Sequence, residues 1–268
     1  MAITDRAHID VLRFNRGFIT AQKQQLLREK IAQDLQNEIA RSVPQNVIIT
    51  ASQLGSALVR PSEMERLKTF LTRYTDDIRI VAYVQEQSRV LARHYAKQVL
   101  EGRIASLSTE LALAETDNWW HDALAQRPAP QPAKSIFSEV QAPPHWLDYA
   151  ALVKHWEGTF GEGTVTLRPY DEDLFNAETF TEELCQAFGI DGSIGKAGPA
   201  SPTPELPEAH LTRARRLNIE LIKLTKLGRI IPRKLWRNLI NDVAVDGPPL
   251  NPATLSATSP PSPAHNTR

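Results

Sequence analysis

Apolar residues recur at helical spacing over residues 18–43, where Phe18, Leu26, Leu27, Ile31, Leu35, Ile39 and Val43 fall mostly on one face. Gln22, Glu29, Gln33, Gln36 and Asn37 occupy the other face, and Pro44 and Asn46 end the helix. The run Val47-Ile48-Ile49-Thr50 is short, continuous and β-branched, which predicts a strand buried on both faces. Ser62-Glu63-Met64-Glu65, just after Pro61, fits a capping box and predicts a helix through Leu67, Phe70 and Leu71 to about Tyr74. Beyond a turn at Thr75-Asp76-Asp77, residues 78–84 predict a second strand. A helix follows over 87–103, carrying Val90, Leu91, Tyr95, Val99 and Leu100. The stretch 104–126 has helical character interrupted at Trp119-Trp120.

Further on, Asp148-Tyr149 opens a helix with Leu152, Val153, Trp156 and Phe160, closed by Gly161. Residues 164–168 predict a third strand, stopped by Pro169. Asn176 is placed to cap a helix through Phe180, Leu184 and Phe188, which Gly189 closes. Strands alternating with helices of this length predict βαβ units: an α/β, helix-rich fold around a small parallel sheet.

Proline sharpens the organisation. Of 19 prolines, Pro128, Pro130, Pro132, Pro143 and Pro144 cluster in 127–144, with further clusters in 199–207 and 248–263. These stretches carry few apolar residues and read as two linkers and a disordered tail. The expected layout is an α/β body over 1–195 with a Pro-rich insertion at 127–144, a linker at 196–209, a basic amphipathic helical segment at 210–242 and a disordered tail at 243–268.

Lys plus Arg equals Asp plus Glu, at 31 each in 268 residues, so net charge gives no whole-chain argument for a polyanionic partner. The balance hides one local asymmetry. Arg213, Arg215, Arg216, Lys223, Lys226, Arg229, Arg233, Lys234 and Arg237 face Glu220 alone, with Pro232 splitting the segment into two helices. The first reading of 213–237 is an apolar face packed on the body with the basic face in water. An anionic membrane surface or a partner protein is the alternative, since Trp236 among Lys and Arg suits an interface. Nucleic acid is disfavoured, because no further basic or aromatic surface accompanies the segment. One cysteine, Cys185, excludes a disulfide framework and a Cys-rich metal site, and it reads as a small core residue. The seven histidines show no ligand spacing, so no metal is expected. No stretch approaches the ~20 apolar residues of a membrane span. The first residues lack a signal-type apolar core, so a cytoplasmic protein is expected, with peripheral membrane attachment through the basic segment as its variant.

An ordered series of short motifs adds a family likeness. Val47 to Gln53 is followed by Tyr83-Val84-Gln85 and then Arg93-His94-Tyr95. Next come Trp146-Leu147-Asp148-Tyr149, Trp156 with Phe160-Gly161, and Arg168-Pro169-Tyr170. Phe188-Gly189-Ile190-Asp191 and Leu217-Asn218 complete the series. Over about residues 8 to 220 the chain resembles a bacterial sulfotransferase-like family related to carbohydrate sulfotransferases. The resemblance implies a P-loop-type parallel sheet. It also implies sulfuryl transfer from PAPS (3′-phosphoadenylyl sulfate) to a carbohydrate hydroxyl.

It further implies that Gln85 and Arg93 stand where the family's Arg and Ser grip the donor's 3′-phosphate. The family's phosphosulfate loop, rich in Lys, Gly and Thr, has no counterpart in this sequence, which holds only 12 glycines. The expected fold is accordingly a sulfotransferase-type sheet missing its first βα unit, with a degenerate donor site. The carboxylate expected after the first strand falls near Ser52. A non-catalytic glycan-binding or interaction module is the competing class.

Other candidates stand on the residues themselves. His121 beside Asp122 has the form of a base oriented by a carboxylate, against a surface loop anchored by Trp119 or Trp120. Arg168, at the C-terminal end of a predicted strand, suits an acidic glycan or phosphate, or equally an ion pair with Asp171 or Glu172. Trp146 suits either a sugar platform or the core, and Trp156 reads as core.

Overall fold

The computed structural model describes residues 2–5, 7–176, 179–191 and 205–258. It is helix-rich, with one two-stranded parallel sheet among the described residues. Strand β1 (Ile80–Val84) pairs with β2 (Val165–Pro169) in a register running from Ile80 opposite Val165 to Val84 opposite Pro169. Between the strands come helices α5 (Gln87–Leu100), α6 (Ser108–Leu113), α7 (Trp119–Ala125), α8 (Ser138–Gln141) and α9 (Tyr149–Phe160). Before β1 lie α1 (Val11–Asn15), α2 (Ala21–Ser42), α3 (Ser52–Ala57) and α4 (Pro61–Leu71). After β2 lie α10 (Glu172–Asn176), α11 (Phe180–Phe188), α12 (Glu208–Lys226) and α13 (Arg233–Asp242).

Local signals explain most of these boundaries. Thr20 caps α2 by accepting from the Lys23 amide at 3.3 Å, and Asp148 caps α9 by accepting from the Ala151 amide at 2.9 Å. Gly189 closes α11 at φ +60, a conformation costly to other residues. The capping box of α4 is shifted by two residues. Pro61 takes the first helical position, and Glu63 reaches back to the Arg60 amide at 3.4 Å. The Ser62 hydroxyl donates instead to Asp5 at 2.7 Å. Asn176 is also displaced from its expected role. It ends α10, and Thr179 stands at the N-cap of α11.

The expected first strand does not form. Val47, Ile48 and Ile49 pair with no strand and remain about half exposed. A parallel strand needs ladder partners and a helix layer on each face, and neither reaches this segment.

The core joins segments that the sequence separates. Tyr95 and Val99 of α5 pack with Leu211, Ala214, Leu221 and Ile222 of α12 and with Trp236 and Ile240 of α13. Asn218 is fully buried at this seam. Its Nδ2 donates to the Val99 and Arg103 carbonyls at 2.7 and 3.0 Å, and its Oδ1 accepts from Trp236 Nε1 at 2.8 Å. The basic segment is therefore docked on the body by its apolar face, and Trp236 is buried rather than presented to an interface.

Two stretches expected to be linker and tail are packed. In 127–144, Phe137, Val140 and Ala142 are buried, and Trp119 Nε1 donates to the Pro144 carbonyl at 2.9 Å. In 243–258, Pro249 bridges Pro207, and Leu255 is buried against Leu91, Leu113 and Leu147. Proline-rich chain has no helical or strand period, yet its fixed φ lets it lie along a core at little entropic cost. Residues 192–204, which include 196–204 of the expected 196–209 linker, and the end of the chain, 259–268, fall outside the described residues.

Candidate functional site

Ligands of open α/β sheets sit outside the carboxyl ends of the strands. A cavity of about 1560 Å³ lies at that end of β1, lined by Val84, Gln85 and the first turn of α5. Sequence forms its rim in a definite way. The Tyr149 hydroxyl at the start of α9 donates to the Gln85 carbonyl at 2.7 Å. Gln87 Nε2 donates to the Leu147 carbonyl at 2.9 Å, in the short 3-10 turn His145–Leu147. The strand end, the helix start and the 145–149 turn are thus held as one unit.

Gln85 and Arg93 share a wall of this cavity. Arg93 Nη2 donates to Gln85 Oε1, and Arg93 Nη1 pairs with Glu172 Oε1 at 2.8 Å. Trp146 lines the same cavity, its ring edge-on to His94 with centroids 5.2 Å apart. Burial pushes the His94 imidazole down to about 3, with Arg103 and Lys97 adding to the shift, so the ring is neutral.

Three further residues meet here that sequence reasoning passed over: Arg127, Glu139 and His145. Among the described residues, the Arg127 guanidinium has no acid or carbonyl in pairing distance. Burial lowers its pKa, with Glu139 and Glu63 opposing. Glu139 Oε1 accepts from the Val11 amide at 2.8 Å, while its Oε2 is buried without a partner. Burial raises the Glu139 carboxyl above the usual carboxylate range, against the Val11 bond. His145 is only 2 % exposed, and its Nε2 is likewise unpartnered. Burial drives it down to about 3, reinforced by the field of Arg127, and its ring stands edge-on to Trp120 at 4.6 Å. The cavity therefore offers an unpaired cation, a neutral imidazole and a carboxyl of raised pKa, which together suit an anion that also exchanges hydrogen bonds. These residues lie in and beside the Pro-rich 127–144 stretch. The available signal was a single Arg, Glu and His, spread over nineteen positions with no motif spacing.

The remaining candidates stand apart. Arg168 does not line the cavity. Its Nε and Nη2 donate to Glu183 at 2.5 and 2.8 Å, so its partner is neither Asp171 nor Glu172. His121 is an exposed residue of α7 whose Nδ1 lies 3.3 Å from Asp122. Ser52 opens α3, and its side chain is outside the described residues, although Gln53 and Ser56 line the cavity. Cys185 is half-buried on α11. Among the described residues no group of His, Cys, Asp and Glu is arranged to hold a metal ion, and no helix is long and apolar enough to cross a membrane.

No family model, curated protein or solved structure matches the chain.

Proposed function

We propose that the protein is a sulfotransferase-like nucleotide binder whose cavity takes the 3′-phosphate end of a PAPS-type ligand. The observation that carries this reading is the meeting of Gln85 and Arg93 on one cavity wall at the C-terminal end of β1. A guanidinium beside a carboxamide offers one phosphate both charge and a neutral N–H donor. Arg93 must leave Glu172 to do so. That pair is partly solvated, so the exchange costs little. Arg127 supplies a second cation on the same cavity, one with no acid in pairing distance among the described residues. Trp146 and Tyr149 line the same space and would give a carbohydrate acceptor apolar ring faces. The sequence has no Gly-rich Lys-Thr loop to cradle a 5′-phosphosulfate, so the reading is of nucleotide binding, and no transfer step is assigned.

Calorimetric titration with adenosine 3′,5′-bisphosphate tests it. Binding at millimolar ligand or tighter is expected. Arg93→Met should weaken binding by about tenfold or more, the value of a charge-assisted hydrogen bond. No heat at millimolar ligand, or an Arg93→Met variant that binds equally well, would sink the reading.

A further inference from the structure

The α12–α13 pair is not uniformly docked. Its near half is committed to the core through Leu221, Ile222, Trp236 and Ile240 and through the three hydrogen bonds of Asn218. Its far end carries Leu224, Leu227, Ile230 and Leu235 in the open. Ile230 is 91 % exposed and Leu227 is 78 % exposed, so nothing in the described chain covers them. Both flank the turn between the helices, which Gly228 makes at φ +83. A helix pair can bury an apolar residue only on its inner face. These aliphatics lie where the two helices separate, and four within twelve residues are not the scattered singles of an ordinary surface.

The charge around them has one sign. Lys223, Lys226, Arg229 and Lys234 are exposed around the turn, and no acid occurs between Glu220 and Asp242. Among the described residues only Lys223 is offset, by Glu220 at 2.8 Å.

We propose that the 223–235 turn docks on an anionic lipid surface, with Leu227 and Ile230 entering the headgroup boundary while Lys226, Arg229 and Lys234 meet lipid phosphates. Aliphatic residues ringed by cations match a surface that is negative outside and apolar beneath. A nucleic acid would supply charge but no apolar phase for Ile230. It would also call for stacking aromatics, and the one tryptophan of the segment, Trp236, is buried. A symmetric contact between two copies would set these cations against one another. The inference is independent of the nucleotide reading, because it uses none of the cavity residues.

Co-sedimentation of the full chain with sucrose-loaded vesicles decides it. The protein should pellet with phosphatidylcholine vesicles containing about a third phosphatidylserine, and not with phosphatidylcholine alone. High salt should release much of it. Lys226→Gln with Arg229→Gln should weaken binding by about 30-fold, and Leu227→Ser with Ile230→Ser by about tenfold or more. All four side chains are exposed, so both double variants should keep the parent circular dichroism and melting temperature. The proposal is overturned by no pelleting with the anionic vesicles, by equal pelleting with neutral ones, or by binding that survives Leu227→Ser with Ile230→Ser. A dimer seen by light scattering and dissociated by the same two serines would assign the patch to a second copy and overturn it as well.

Discussion

Glu183 gathers two partners from the sheet. Arg168 donates two hydrogen bonds to it, and the Tyr83 hydroxyl donates a third at 3.1 Å. The Arg168 hydrogen bonds hold the Glu183 carboxyl below the usual carboxylate range, against some desolvation. Burial, and then the carboxylate itself, push the Tyr83 phenol up to about 12. Glu183 is more acidic folded than unfolded, so its contribution is present above the ordinary glutamate pKa. It is lost as pH falls through the depressed folded value. Glu183→Gln should therefore cost on the order of 1 kcal/mol at pH 7 and progressively less toward pH 3. Urea midpoints of the two proteins at both pH values check this, and a difference that grows on acidification would refute it. The sequence placed Arg168 at a strand end and offered Asp171 or Glu172 as its ion-pair partner. The true partner lies on α11, and only the packing of that helix beside the strand brings it near. Arg127, Glu139 and His145 were illegible for the same reason, since their common cavity exists only once the 127–149 chain folds across α5 and β1.

Among elements, those with a strong period were readable, as α4, α5, α9 and α12 show, although only α9 among them carries the side-chain cap its sequence signals. Period alone did not say what an apolar face would pack against. In α2 the stripe spaced at three and four is real, yet Leu26 and Ile31 are exposed, and Leu27, Leu35 and Ile39 are only half-buried. Its early turns are tied down by Gln24 and Arg28, which donate to the Thr4 carbonyl at 2.5 and 3.2 Å. Its middle is held by the Tyr74 hydroxyl on the Ala32 carbonyl at 3.3 Å. Val43 then ends it at φ +44, a strained conformation for a β-branched residue. A helix with so little tertiary cover opens locally at small cost. Amides of the last two turns of α2 and of residues 43–50 should exchange at least 100-fold faster than those of the middle of α5. Hydrogen–deuterium exchange with mass-spectrometric readout tests this, and equal protection would show that the stripe is covered in solution. The unformed first strand belongs to the same region: β-branched composition favours a strand only where a neighbour and a covering layer exist.

At the scale of the whole molecule, sequence separation misled most where the chain returns on itself. A body ending at 195 and a tail beginning at 243 follow from composition. The folded chain ignores both boundaries, because α5 lies between α12 on one side and the 3-10 segment Pro252–Thr258 on another. Leu250 packs against two of the core clusters, and Leu255, 2 % exposed, completes one of them. Pro249 to Ala253 also wall the cavity, so the C-terminal strap joins the core to the candidate site. Leu255 should therefore behave as a core residue despite its proline-rich setting. Leu255→Ala is expected to lower the unfolding free energy by about 2–5 kcal/mol, the range for truncating a buried leucine. Ile230→Ala, at the exposed turn, should change it by less than about 0.5 kcal/mol. Because the strap is part of the cavity wall, loosening it should also weaken adenosine 3′,5′-bisphosphate binding, while Ile230→Ala leaves that affinity unchanged. Urea denaturation with calorimetry on the same two variants separates the outcomes. A Leu255→Ala protein as stable as the parent would show that residues 243–258 are the free tail their composition suggests.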